Sequence, residues 1–458
     1  MVKSIGNVQK DAQVRAIASG ALSNGDTVVV NADGTVSVVA GSDSVAGTPD
    51  VFESASVVLN SATFDSSNNK VVISYRDGAN NNYGTAVVGT VSGTSISFGT
   101  PVVFAISDPV SYIASTFDSS SNKVVIAYAR GAGIGYATVG TVSGTSISFG
   151  SETIFRPTSN STDISIAYDV NSGKVVIVYT DQGNNQYGTA VVGTVSGTAI
   201  SFGSPVIYNS GYSIYNSIVY DSNAQKVVIA YRDVGNSNVG TAIVGTVSGA
   251  SISFGSEVTF ESGQSNYIAA TFDSTNNKVV IAYQDAGNSY YATAVVGTVS
   301  GTSISFGTPV VFENATVSFI SPVFDSNANK VVIAYRDTGN SNYGTFTVGT
   351  VSGTSISFET AVVFQTANSY YNSATFDSSN NKVVNAYRND GNSGYGTAVV
   401  FQPDSTNLTS ENFIGLADGA YADTQSAVIN TTCSVDRNQT SLTAGQIYYV
   451  QTDGSLGL

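Results

Sequence analysis

An aromatic residue followed by aspartate returns seven times along this chain, as Phe64-Asp65, Phe117-Asp118, Tyr168-Asp169, Tyr220-Asp221, Phe272-Asp273, Phe324-Asp325 and Phe376-Asp377. The copies stand 51 to 53 residues apart. A period of this length restricts the chain to a solenoid, a propeller or an array of like units. One copy, residues 268–312, opens with IAATFD, which suits a strand buried on both faces, and turns at Ser274-Thr275-Asn276-Asn277. These residue types favour tight connections. KVVIAYQD is the returning strand of a hairpin, AGNSYY is a second turn signal, and TAVVGTVSG and TSISFGTPVVF add two strands around a Ser-Gly connection. No helical capping pattern or helical periodicity intervenes, which excludes parallel βαβ winding. The expectation is an all-β chain, a seven-bladed β-propeller with four-stranded blades of about 52 residues.

The ends of the array carry a permutation. Repeats one to six end in an SFG or SFE strand, but the seventh runs from Thr397-Ala398-Val399-Val400 into Phe401-Gln402-Pro403 without it. The counterpart lies before the first repeat, where Gly47-Thr48-Pro49-Asp50-Val51-Phe52 matches Gly99-Thr100-Pro101-Val102-Val103-Phe104. An N-terminal strand that completes the last blade hides two otherwise open sheet edges. Outside the repeats, Leu22 to Gly34 and Leu442 to Gly454 share a leucine, a glycine, an apolar run and an Asp-Gly turn. Each reads as a hairpin. The expected organisation is residues 1–33 and 403–458 in a small accessory β-domain, with residues 34–402 as the propeller. Four residues follow Asp453-Gly454, so the expected last strand is short and open to extension by a neighbouring chain.

Composition narrows the chemistry. Seventeen basic against thirty-two acidic residues give a net charge of −15, which repels a phosphate backbone, so no nucleic-acid partner is expected. With no histidine in the chain, no Ser-His-Asp constellation and no imidazole metal site can be built. Cys433 is the only cysteine, which excludes an intrachain disulfide and a cysteine zinc site, and suits a small buried apolar role. The N-terminus lacks an apolar core of signal-peptide length and no stretch is long enough for a membrane span. No cofactor or metal is expected, since no twelve-residue calcium loop is present either.

Two faces of the predicted propeller differ. On one, Lys70, Lys123, Lys174, Lys226, Lys278, Lys330 and Lys382 each follow the repeated Asp by five residues. Asp and Lys there read as a solvated cross-strand pair framing a hairpin. On the other face the inter-blade connections vary, from ESASVVLNS and RPTSNSTDIS to QTANSYYNS, beside turns such as YRDGANNNY and YRDTGNSNY. The candidate ligand-binding residues of this face are Arg76, Tyr83, Tyr112, Arg130, Tyr212, Tyr215, Arg232, Tyr267, Arg336, Tyr370, Tyr371 and Arg388. Tyrosine, arginine and asparagine together suit polar ligands with apolar faces, such as sugars. The competing reading makes each Tyr-Arg-Asp unit a turn-stabilising ion pair. Asp77, Asp181, Asp233, Asp285 and Asp337 offer paired carboxylates for glycan hydrolysis, but they recur blade after blade where a catalytic site is normally a unique break. A non-enzymatic role is therefore expected.

The blade text KVVIAYRDTGNSNYGTFTVGTVSGTSISF, with the ending FIGLADGAYADTQSAVINTTCSVDRNQTSLTAGQIYYVQTDGSLGL, resembles repeat-containing virion structural proteins of tailed bacteriophages, particularly marine ones. The resemblance covers most of the chain and implies a tail fibre, appendage or surface protein that takes part in host attachment. It implies a virion location, with other virion subunits as expected partners of the terminal β-domain; a host-surface glycan is the candidate ligand of the Tyr/Arg/Asn-rich face, and homo-oligomerisation is left open. It carries no catalytic residues. The alternatives are a purely structural spacer or collar module of a tail or capsid, and a carboxylate-dependent glycan hydrolase.

Overall fold

The computed structural model describes residues 13–157, 160–406, 413–431, 449–450 and 456–457. The chain is all-β: among the described residues, helix is confined to three single 3-10 turns, as at Val234–Asn236. It divides into two compact units, Val45–Pro403 and a terminal unit of Met1–Ser44 with Asp404–Leu458. Residues 34–44 therefore fall in the terminal unit, where Val36–Val38 pairs with Thr27–Val30.

In the repeat unit the strands follow the sequence closely. Val258–Asp273 turns at the repeated Asp into Lys278–Asp285, which turns into Tyr291–Ser300. Ser303–Phe306 pairs with the far half of that third strand. The near half is taken by the next long strand, through Ala294↔Val310 and Thr293↔Val311. The predicted fourth strand is thus split at Gly307-Thr308-Pro309, and its second half runs on into the inner strand of the following unit as Val310–Asp325. The expected inter-blade connections are accordingly strand in most repeats. Only Val102–Ala105 and Thr153–Arg156 stop short of the inner strands Val110–Asp118 and Ser161–Asp169.

The repeated Asp explains itself once built. It is 1–2 % exposed in all seven copies, and its Oδ1 accepts backbone N–H groups two and three residues on, as Asp273 does from Thr275 and Asn276. Asp and Lys do lie opposite each other, as in Asp273↔Lys278. The Asp, however, is a buried anchor of its turn and not half of a solvated pair, because the turn's amides face inward and need an acceptor.

The second strand of each unit is buried on both faces, as in KVVIAYQD of Lys278–Asp285. This is why it reads as an unbroken apolar run. Among the described residues, six apolar clusters join each unit to the next, and a seventh joins the seventh unit's Val384, Ala386 and Val400 to Phe52, Val57 and Ile73 of the first. Among the described residues no hydrogen-bonded sheet closes on itself. The seventh unit's third strand Tyr395–Gln402 pairs with Asp50–Asp65 through Ala398↔Asp50 and Thr397↔Val51, and with Val45–Ala46 through Phe401↔Ala46.

Glycine at the SFG position has a steric cause. A Cβ on Gly99 would lie 1.8 Å from the Thr145 carbonyl oxygen of the next unit's Ser-Gly-Thr turn, and one on Gly47 would lie 1.9 Å from that of Thr94. The sixth unit carries Glu359 at this position, and the seventh unit that follows it has no Ser-Gly-Thr turn. The glycine disappears where the obstructing carbonyl does.

In the terminal unit a five-stranded sheet joins both ends of the chain, with Gln13–Ile17, Ser426–Asn430, Phe413–Ala417, Thr27–Val30 and Val36–Val38 in that order. The Asp33-Gly34 turn links the last two strands, with Gly34 at φ 81°. Tyr449–Val450 pairs with Leu456–Gly457 around the second predicted turn. Asp453, Gly454 and Cys433 themselves lie outside the described residues.

The turn anchor gives a stability prediction. Asp273→Ala should cost about 1–3 kcal/mol by orphaning buried amides, while Lys278→Ala should cost less than about 1 kcal/mol. Urea denaturation of the two variants measures the difference.

Candidate functional site

Each inner strand carries a bulge four to seven residues before its repeated Asp. In the fifth unit the register slips between Asn266 and Ala269, and the same slip occurs in the other six. At every bulge one non-glycine residue takes a left-handed conformation: Leu59, Tyr112, Asp163, Tyr215, Tyr267, Phe319 and Tyr371, with φ between 49° and 60°. All seven stand five residues before the aromatic of the aromatic-Asp pair. Bulky side chains in this conformation are costly, and such outliers cluster where function demands them.

The bulges aim these side chains together. They line one cavity of about 270 Å³, together with the residues that follow them, among which Asn60, Asn216 and Asn372 bring amides. The rings form a crescent with centroids 5.4 Å apart for Tyr215 and Tyr267, 5.6 Å for Tyr267 and Phe319, and 5.0 Å for Phe319 and Tyr371. Tyr112 is 36 % exposed. A second cavity of about 440 Å³ lies toward the repeated aromatics, lined by Phe64, Phe117, Tyr168, Tyr220 and Phe376.

Asp163 breaks the ring chemically. Its Oδ1 accepts the Tyr215 backbone N–H at 3.1 Å. Packing around the carboxyl pushes its pKa above the usual carboxylate value, against the opposing pull of that hydrogen bond, of Thr162 and of Arg232. Behind it stands a buried polar group. Asn216 Nδ2 donates to the Asp163 carbonyl at 3.2 Å and to Thr180 Oγ1 at 3.1 Å, and its Oδ1 accepts from Tyr208 OH at 2.8 Å and Ser213 Oγ at 2.7 Å. Two of these residues are themselves departures from the repeat: Tyr208 stands where the other units have Phe, and Thr180 takes the place held by Arg232 and Arg336 in their units.

Of the candidate residues, Tyr112, Tyr215, Tyr267 and Tyr371 line the cavity. Tyr370 lies beside it, 5.4 Å from Phe319 and 6.4 Å from Tyr371. The arginines brace aromatic rings. Arg232 lies 5.2 Å from the Tyr215 centroid and donates to Asn266 Oδ1. Arg336 lies 4.5 Å from Tyr370 and 5.4 Å from Phe319, and Arg388 lies 5.8 Å from Tyr370 while pairing with Asp390 at 2.7 Å. Arg130 pairs with Glu152 at 2.7 Å and covers Tyr136 at 4.3 Å, away from the cavity. Arg76 and Tyr83 flank the first unit's second turn, and Tyr212 faces Tyr187 across a strand pair; none of the three lines the cavity.

The ion-pair reading of the Tyr-Arg-Asp units needs correction. Neighbouring strand residues point to opposite faces, so the Arg and the Asp of one unit diverge. Asp77, Asp181, Asp233, Asp285 and Asp337 each accept a backbone N–H of the following turn through Oδ1, as Asp337 does from Asn340 at 3.1 Å. The tyrosines are fully buried, and several donate to a glutamate, as Tyr231 does to Glu257 at 2.8 Å and Tyr283 to Glu261 at 3.1 Å. Sequence reasoning missed Leu59, Asp163, Phe319 and the three asparagines. The column five residues before each repeated aromatic was the available signal. Among the described residues no cluster of three metal-ligating side chains occurs, and no helix is long and apolar enough to cross a membrane.

No protein-family model and no curated protein matches the chain. Among solved structures it is similar to a protein of unknown function from Dyadobacter fermentans, with a TM-score of 0.48 and 12 % identity over 80 % of this chain and 99 % of that one. It is also similar to the intramolecular trans-sialidase from Ruminococcus gnavus, with a TM-score of 0.44 and 9 % identity over 77 % and 97 % of the two chains. AofleA from Arthrobotrys oligospora aligns with a TM-score of 0.43 and 8 % identity over 72 % and 93 %.

The environment of Asp163 predicts a pH effect. A carboxyl whose folded pKa exceeds its unfolded value binds its proton more tightly when folded, so stability rises as pH falls through the folded pKa toward the unfolded one. Asp163→Asn should melt above the unmodified protein at pH 7, and the gap should close as pH is lowered toward the ordinary carboxylate value of 3.8. Glu53, Glu313 and Asp337 shift in the same direction, so the comparison of melting temperatures between the two proteins isolates Asp163.

Proposed function

We propose that the seven units are the blades of a seven-bladed β-propeller, and that the protein is a non-enzymatic virion component of a tailed bacteriophage that attaches to host-surface glycans. The propeller reading is supported by seven apolar interfaces for seven units and by hydrogen bonds between neighbouring inner strands. Asn60 Nδ2 and Ala62 N of the first unit donate to Tyr371 O and Ser373 Oγ of the seventh, as Asn372 Nδ2 and Ala374 N of the seventh donate to Phe319 O and Ser321 Oγ of the sixth. The observation that carries the binding reading is the ring of left-handed, mostly aromatic residues around one cavity. Aromatic faces beside amides and a carboxylate suit a sugar, whose ring has an apolar face and a polar edge. The virion assignment rests on the sequence resemblance. It leaves the terminal unit to contact other virion subunits, and that unit's edge strand Gln13–Ile17 offers exposed Val14 and Ile17 for such pairing.

Replacing both Tyr370 and Tyr371 by Ala should lower retention of the protein on its cognate glycan in an array at least ten-fold. Unchanged retention overturns the glycan reading and leaves the structural-module alternative.

A further inference from the structure

The ring around the cavity has six apolar or aromatic members and one acid. Among the described residues lining it, Asp163 is the sole formal charge, and no lysine or arginine joins it. The nearest guanidinium, Arg232, is engaged by Asn266 and by the Tyr215 ring. The Arg232 charge acts on the carboxylate from outside the cavity lining, without an ion pair between the two. The carboxylate's fixed partners are a backbone amide and a hydroxyl, both neutral. The aromatic crescent borders the same space, and aromatic rings carry negative π-faces that attract cations.

We propose that the cavity binds an ammonium group, set against Asp163 and the crescent of Tyr215, Tyr267, Phe319 and Tyr371. This deepens the glycan-attachment reading, on which it rests, by naming the charge its ligand carries. An anionic sugar is disfavoured by the carboxylate, and a neutral one leaves that charge without a counterion inside the cavity. The volume of about 270 Å³ accommodates one sugar ring or one alkylammonium head group. The polar group behind Asp163 fits this role, because Asn216, Thr180 and Tyr208 fix the backbone that presents the carboxylate. Preorganisation of a binding group by buried neighbours reduces the ordering cost of binding.

Titration calorimetry of the full chain at pH 7 with glucosamine, glucose and choline tests the proposal. Binding of glucosamine at least ten-fold tighter than glucose, with the advantage lost in Asp163→Asn, supports it and identifies an amino sugar as the source. Choline bound in the same Asp163-dependent way, without glucosamine, supports the ammonium site and identifies an alkylammonium head group. Equal affinity for glucose and glucosamine, or amine binding unchanged in Asp163→Asn, overturns it. In that case glucose binding that is lost in Tyr267→Ala leaves the glycan reading standing. Absence of binding by all three ligands overturns the ammonium site, and the array then decides the glycan reading separately. Asparagine tolerates the left-handed conformation, and Asp163→Tyr, which restores the residue of four other units, serves as the second variant.

Discussion

No repeat unit owns a core; every apolar cluster of the array is shared between two units. The second strand of each unit is buried on both faces by its neighbours, and a tyrosine from that strand is among the largest fully buried side chains at each interface. Fully burying one such aliphatic or aromatic side chain is worth about 1.5–3 kcal/mol. A unit removed from its neighbours would return most of that to water. The array therefore exists as a whole or not at all, and the first and seventh units need the contact they make with each other as much as any adjacent pair does. That mutual dependence fixes where the inner strands lie and, through them, the cavity.

How much of this was legible in the sequence follows from which residues obey a period. The hairpin turns were legible because Asp and Asn report on the backbone directly. An Asp that accepts two turn amides and an Asn with positive φ, such as Asn277 at 54°, leave a local signature. The displaced strand before the first repeat was legible too, because Gly47 to Phe52 keeps the text of Gly99 to Phe104. Residues 53 to 61 and their equivalents were harder. They vary between repeats and look like loops, yet most are strand, because backbone pairing tolerates side-chain variation on the exposed face. The bulges hid the site. A slip of register interrupts the alternation that assigns residues to faces, so nothing in the text of NSYYNS says that Tyr371 turns toward the cavity while Tyr370 lies beside it. Arginine misled in another way. Its repetition beside Tyr and Asp looked like ion pairing, whereas the strand sends alternate residues to opposite faces and leaves Arg232 and Arg336 against aromatic rings.

Symmetry and its violations divide the labour of the chain. Residues that never change, such as the buried Asp of the turn and the buried Tyr of the second strand, hold the units in place. Three departures from the repeat meet in one sector, where Asp163, Thr180 and Tyr208 come from three strands of the third and fourth units. A carboxylate in that sector carries an unfavourable environment, which the rest of the array tolerates because its stability is distributed over seven interfaces. Stability set against a locally costly group is the usual balance at a binding site.

The junction between units has a consequence for how such a chain can change by recombination. A unit ending in glycine, like the first with Gly99, can be followed by any unit that carries the Ser-Gly turn, since only glycine clears the carbonyl presented there. The unit ending in Glu359 can be followed only by one that lacks the turn. The first five units are therefore interchangeable cassettes, open to duplication or exchange without repair of the junction, while the sixth and seventh form a terminal couple inherited together. New ligand-facing residues can then enter by swapping a cassette, and the couple that receives the N-terminal strand stays untouched.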